Sequence, residues 1–123
     1  MPFLIKRIYD EVDPRDGFRV LVDRLWPRGV SKEEAHIDLW LKEVAPSTEL
    51  RTWFDHRADR FTEFSDRYAA ELDSNPAVAT LRQLGQAHPT VTLLYSAKNP
   101  QINQAVVLAE YLAADDHETP GGN

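Results

Sequence analysis

Apolar positions along the chain fall into runs of two kinds. Residues 3 to 9, Phe-Leu-Ile-Lys-Arg-Ile-Tyr, residues 18 to 25 around Val20-Leu21-Val22, and Val91 to Tyr95 are short and rich in β-branched and aromatic types, and they predict three strands. The second and third are continuous rather than alternating, the pattern of strands buried in the middle of a sheet. Elsewhere the period changes. Phe61, Phe64, Tyr68 and Leu72 recur at spacings of three and four between Asp59 and Asp73, which predicts an amphipathic helix. Val78, Leu81 and Leu84 define the next helix, opened by Asn75-Pro76 and closing near Gly85 and Pro89. Ala105, Leu108, Ala109 and Leu112 define the last, with Asn99-Pro100 marking its start.

Shorter signals complete the outline. Ser31 to Glu34 has the spacing of a capping box and predicts a helix start. Ser47 is suited to cap a short helix with Leu50, Trp53 and Phe54 on one face. Between them, Leu39, Trp40, Leu41 and Val44 fit either continuing helix or extended chain before Pro46. From Ala113 to Asn123 no apolar period remains, and a mobile tail is expected there. The expectation is therefore one α/β domain over residues 1–112, small and three-layer-like, with a short mixed, largely parallel sheet covered by helices.

Composition narrows the function more than the fold. The chain of 123 residues is of single-domain size and contains no cysteine, which excludes disulfides, thiolate metal sites and a cysteine nucleophile. The apolar run at the amino end is too short for a signal peptide and no run approaches the roughly 20 residues of a membrane span, so a cytoplasmic protein without membrane contact is expected. A net charge of −6 argues against duplex DNA as a partner. The charge is unevenly distributed: residues 1 to 67 hold 12 of the 14 bases, and beyond them only Arg82 and Lys98 remain. An anion site has to be built mainly from the first half, with Lys98 as the exception.

The candidate chemistry sits at the ends of the two buried strands. Asp23-Arg24-Leu25-Trp26-Pro27-Arg28-Gly29 places two guanidinium groups, each able to grip a carboxylate or phosphate with paired bonds, beside a rigid Trp-Pro corner. Tyr95 leads into Ser96-Ala97-Lys98-Asn99. If the two strands are parallel, both loops emerge at the edge of the sheet where α/β proteins bind ligands. Arg24, Trp26, Arg28, Tyr95, Lys98 and Asn103 are then the candidate ligand-binding residues, and Asp23 and Ser96 the candidates for proton transfer or attack. The bland alternatives are that the arginines pair with the surplus carboxylates, that Trp26 is core, and that Arg51 and Arg67 are solvated ion-pair residues on helices. No nucleophile elbow, phosphate-binding glycine loop, dinucleotide fingerprint or metal-ligand spacing occurs, and neither cofactor nor metal is expected. Asp55-His56 with Asp59 offers metal-ligand types, but a lone histidine in that setting fits a cap or surface group better.

Taken together, Asp23 to Gly29, then Ala45-Pro46-Ser47 with Leu50-Arg51 and Trp53-Phe54, then Leu93 to Lys98 followed by Asn103-Gln104-Ala105, resemble the family called domain of unknown function 488 in its short YeaO-like branch. The resemblance covers nearly the whole chain apart from the tail. It implies a bacterial-type α/β domain and no defined activity. Two departures bear on mechanism. The family usually has histidine where this chain has Gln104, which weakens any proton-transfer role at the last helix. Longer relatives have a helix between the first two strands, whereas only Asp10 to Gly17 connects them here, too few residues for a parallel crossover between neighbours. Strand 1 must be antiparallel to strand 2 or not adjacent to it.

The function expected from these residues is binding of a small anionic or phosphorylated ligand at the carboxyl edge of the sheet. The alternative is a non-enzymatic protein-interaction module that uses the Arg-Trp-Pro-Arg surface, with self-association left open. Single-stranded nucleic acid on Trp26 and the arginines is disfavoured by the net charge.

Overall fold

The computed structural model describes the backbone of residues 3–118, and side chains as far as residue 114. Four strands, β1 (Phe3–Arg7), β2 (Phe18–Leu21), β3 (Leu39–Trp40) and β4 (Val91–Tyr95), form one sheet in the order β1-β4-β2-β3. Every pairing is parallel, so the sheet expected as mixed and largely parallel is wholly parallel, and of the two alternatives left by the short first connection, antiparallel or non-adjacent strands, the second is the one found. The connection can be short because β1 and β2 are not neighbours. β4 lies between them, its Val91 opposite Phe3 on one side and Phe18 on the other. Residues 8–17 can reach roughly 33 Å when extended, enough to return along a five-residue strand and pass beneath β4.

The return ends at Gly17, whose φ of +66° brings its backbone against Thr90. A Cβ built there would lie 2.3 Å from the Thr90 carbonyl oxygen, the same oxygen that accepts the Phe18 amide at 3.0 Å. Only glycine fits this entry into β2. Just before it, buried Asp16 receives Lys6 Nζ at 3.1 Å and the guanidinium of Arg19. These bonds tie β1, the turn and β2 together at the end of the sheet away from the candidate loops.

Side-chain alternation then divides the core. Val20 of β2 and Val22 just beyond it share a face with Val91, Leu93 and Tyr95 of β4, and this face carries the larger apolar cluster. It is covered by α2 (Thr48–Phe54), α3 (Phe61–Asp73), α4 (Ala77–Ala87) and α5 (Gln104–Glu118). Leu21 and Leu94 point to the other face, where the single turn α1 (Lys32–Ala35) and the segments flanking it, with Trp26 and Val30 before and Ile37 after, form a thinner cover. The architecture is thus a small α/β domain with a heavy and a light layer on a central sheet.

The local signals act as their chemistry requires. Ser31 Oγ accepts the Glu34 amide at 3.1 Å and Glu34 returns the bond. Ser47 Oγ accepts the Leu50 amide at 3.2 Å to open α2. The open stretch before Pro46 resolves into β3 followed by a 3₁₀ turn at Lys42–Val44, because Leu39 and Trp40 find a parallel partner in β2. Asn99 makes a turn, accepting the Gln101 and Ile102 amides, and α5 begins five residues later than its expected marker. α5 also runs past Leu112 to Glu118, into the segment expected to be a mobile tail, while residues 119–123 of that tail lie outside the described residues. Among the described residues, no helix is long and apolar enough to cross a membrane.

Candidate functional site

The parallel pairing of β2 with β4 sends both candidate loops out of the same edge of the sheet. The paths stay joined beyond the strands: the Val22 amide donates to Leu94 O at 3.0 Å, and the Ser96 amide donates to the Asp23 carboxylate at 2.9 Å. Here the loop after β2 faces the start of α2 across a cavity of about 350 Å³. That volume is at the small end of ligand-pocket sizes.

Three guanidinium groups line the cavity, those of Arg24, Arg28 and Arg51. They are not equivalent. Arg24 is half-buried and donates to the Ala45 and Pro46 carbonyls at 3.2 Å, which fastens the loop to the segment that leads into α2. Arg28 and Arg51 are exposed, and among the described residues neither guanidinium forms an ion pair. The alternative in which the loop arginines pair with surplus carboxylates is not met among the described residues. Arg28 is held through its backbone, whose carbonyl accepts Tyr9 Oη at 3.0 Å, so its side chain is free to meet a ligand.

Trp26 forms part of the wall and part of the lighter core at once. Its Nε1 donates to Val30 O at 2.7 Å and its ring stands edge-on to Trp40 at 5.4 Å. Trp40 in turn donates to the Asp23 carbonyl at 2.8 Å. The aromatic pair thus braces the segment from Asp23 to Val30, and Trp26 also lines the cavity.

Asp23 lies at the floor, 8% exposed. One carboxylate oxygen accepts the Ser96 amide and the other the side-chain amide of Gln104 on α5. Burial pushes its carboxyl above the usual carboxylate range, against the opposing influence of the Ser96 and Gln104 bonds and nearby His56. His56 lies where α2 ends, with Asp55 and His56 both left-handed at φ of 50° and 55°. Two successive non-glycine residues in that conformation store backbone strain beside the cavity.

Other candidates are placed elsewhere. Lys98 is exposed and lines an adjoining cavity that shares His56, Ser96 and Ala97 with the first. Tyr95 is 2% exposed and belongs to the heavier core, because alternation puts it on the face of Val91 and Leu93. Asn103 is the amino cap of α5: its Oδ1 accepts the Val106 amide at 3.1 Å and its Nδ2 donates to Asn99 O at 2.9 Å. The structure thus gathers Asp23, Arg24, Trp26, Arg28 and Ser96 and separates Tyr95, Lys98 and Asn103 from them. Arg51, His56 and Gln104 join the site instead. Arg51 follows Leu50 one turn after the Ser47 cap, a position that in sequence looks like any solvated helical arginine. Arg67, read the same way, does pair with Glu63 on its own helix and lies over Trp53 at 4.5 Å. Among the described residues no group of His, Asp or Glu could hold a metal ion.

Residues 2–122 match the family model described as the inactive DUF488-N3 subclade. An uncharacterized protein of Mycobacterium tuberculosis is 44% identical over 108 residues, which cover 88% of this chain and 91% of the relative. Uncharacterized protein YeaO of Escherichia coli is 45% identical over 108 residues, 87% of this chain and 93% of the relative. No solved structure matches the chain significantly.

Proposed function

The chain belongs to the domain of unknown function 488 family, and from that premise we propose that it is a binding domain for a small phosphorylated or carboxylate ligand at the carboxyl edge of its sheet. The observation that carries this reading is the pair of guanidinium groups of Arg28 and Arg51, without carboxylate partners among the described residues, on one concave surface with a buried polar floor. Exposed cations that line a cavity without an ion-pair partner among the described residues suit a bidentate oxyanion such as phosphate. Arg24 supports the site by holding its two walls together.

The reading stops at binding. The side chains that meet Asp23 are the neutral amide of Gln104 and the Ser96 side chain, and no proton transfer is assigned to it. The description of the matching family model as inactive agrees with this. A second reading, a protein contact, draws on exposed apolar surface around the mouth, where Leu25 is 61% and Tyr9 46% exposed.

Thermal unfolding in the presence of inorganic phosphate, pyrophosphate and small carboxylates separates the two. A ligand at 100 times its dissociation constant adds about 2.7 kcal/mol of stability, several degrees for this size of domain. The expected result is a shift with at least one anion class that disappears in the Arg28→Ala, Arg51→Ala double variant. No shift with any of them, together with a mass that rises with protein concentration in sedimentation, would replace the ligand reading with the interface reading.

A further inference from the structure

The floor of the cavity is chemically opposite to its rim. Arg28 and Arg51 at the mouth are exposed cations, while Asp23 at the bottom is a buried carboxylate. Among the described residues no cation pairs with Asp23: its next neighbour Arg24 turns its guanidinium to the Ala45 and Pro46 carbonyls instead. The groups that bond to it, the Ser96 amide and side chain and the Gln104 side chain, are neutral, and nearby His56 favours its charged form without bonding to it. A carboxylate offers about four acceptor positions, so roughly one remains for a donor brought into the cavity that Asp23 lines.

A buried charge with neutral donors only is costly, and a ligand that brings a further donor relieves that cost. A plain anion cannot do so. Pushed to the floor it would meet a like charge; held at the mouth it would leave the floor unused. Between the two poles the wall is apolar, made by Pro27, Pro46 and Phe54, which suits a short carbon skeleton.

Resting on the anion-binding reading above, we propose that the ligand carries a hydrogen-bond donor, a hydroxyl or an ammonium, separated by a short skeleton from its phosphate or carboxylate. The donor sits on Asp23 and the anion on Arg28 and Arg51. The raised carboxyl of Asp23 agrees with a site that lacks its natural counter-group.

Calorimetric titration of the intact chain with four probes tests this: inorganic phosphate, propyl phosphate, glycerol phosphate and phosphoethanolamine. Propyl phosphate has the skeleton without the donor. The expected result is that glycerol phosphate or phosphoethanolamine binds about tenfold tighter than propyl phosphate, and which of the two leads identifies hydroxyl or ammonium as the donor. In Asp23→Asn the advantage of the charged donor over propyl phosphate should vanish. Binding of all four probes with equal affinity would overturn the donor inference and leave the anion site standing. Binding of none would overturn both. The comparison among probes on the unaltered chain decides the matter even if Asp23→Asn does not fold.

Discussion

Arg24 and Arg28 differ by four positions in one loop, and the structure gives them opposite roles that substitution by alanine should separate. The Ala45 and Pro46 carbonyls belong to buried residues and accept the Arg24 guanidinium at 3.2 to 3.3 Å. Removing that side chain leaves two acceptors without their partner, each worth about 1–3 kcal/mol when fully buried. The guanidinium is half-buried and its bonds are long, so water replaces part of the loss and the low end applies, about 2 kcal/mol in all. At about 4 °C per kcal/mol for a domain of this size, Arg24→Ala should unfold about 8 °C earlier. Arg28 is exposed, its side chain makes no ion pair among the described residues, and its anchoring carbonyl is retained by alanine. Arg28→Ala should therefore stay within about 0.5 kcal/mol of the parent chain and yet lose the stabilisation conferred by phosphate. Circular dichroism melts of the three proteins, each with and without phosphate, read both effects. If Arg28→Ala melts as early as Arg24→Ala, or keeps the full phosphate shift, the division of labour argued from the hydrogen bonds is wrong.

Asp23→Asn should change how stability depends on pH. With its carboxyl raised by burial, the parent chain holds the proton in both folded and unfolded states at low pH and loses stability as pH rises through the raised value. His56 and the Ser96 and Gln104 bonds temper that loss without reversing it. The variant should therefore gain stability relative to the parent as pH rises above about 4 in denaturant titrations, and a difference that does not change with pH would refute the assignment. Gly17→Ala should cost more than about 2 kcal/mol in the same titrations, since it adds an unfavourable positive φ to a 2.3 Å approach to the Thr90 oxygen; a loss under about 0.5 kcal/mol would mean that the turn relaxes. Tyr68→Phe removes the bond from the buried hydroxyl to Val44 O at 2.6 Å and should destabilise by about 1–2 kcal/mol, whereas an unchanged urea midpoint would show that the carbonyl finds another donor.

The local features of this chain were legible because their causes are local. The Ser31 and Ser47 caps, the Phe61-to-Leu72 stripe and the continuous runs at Val20 and Leu93 follow from side-chain chemistry and periodicity within a few residues. The strand-end loops could be named as candidates for the same reason, since Arg24, Trp26 and Arg28 sit together in the sequence. The wholly parallel sheet was a different matter. It depends on β4, more than 65 residues away in the chain, inserting between β1 and β2; the shortness of residues 10–17 requires strand 1 to be antiparallel or not adjacent and does not choose between the two.

Membership of the site was likewise a tertiary outcome. Tyr95 and Ser96 are adjacent, but strand alternation buries one in the core and brings the other to the cavity, and sequence cannot say on which side the cavity opens. Asn103 looked like a ligand group and instead satisfies the exposed amide at the start of α5, a demand set by where that helix begins. Arg51 and Gln104 became site residues only because α2 and α5 pack at the edge where β2 ends, so that long-range packing aims their side chains into the same space. Sequence alone determined which short segments become helix or strand and which loop carries the cations. The pairing of distant strands, whose contacts form only once the chain has closed on itself, decided which of those groups meet.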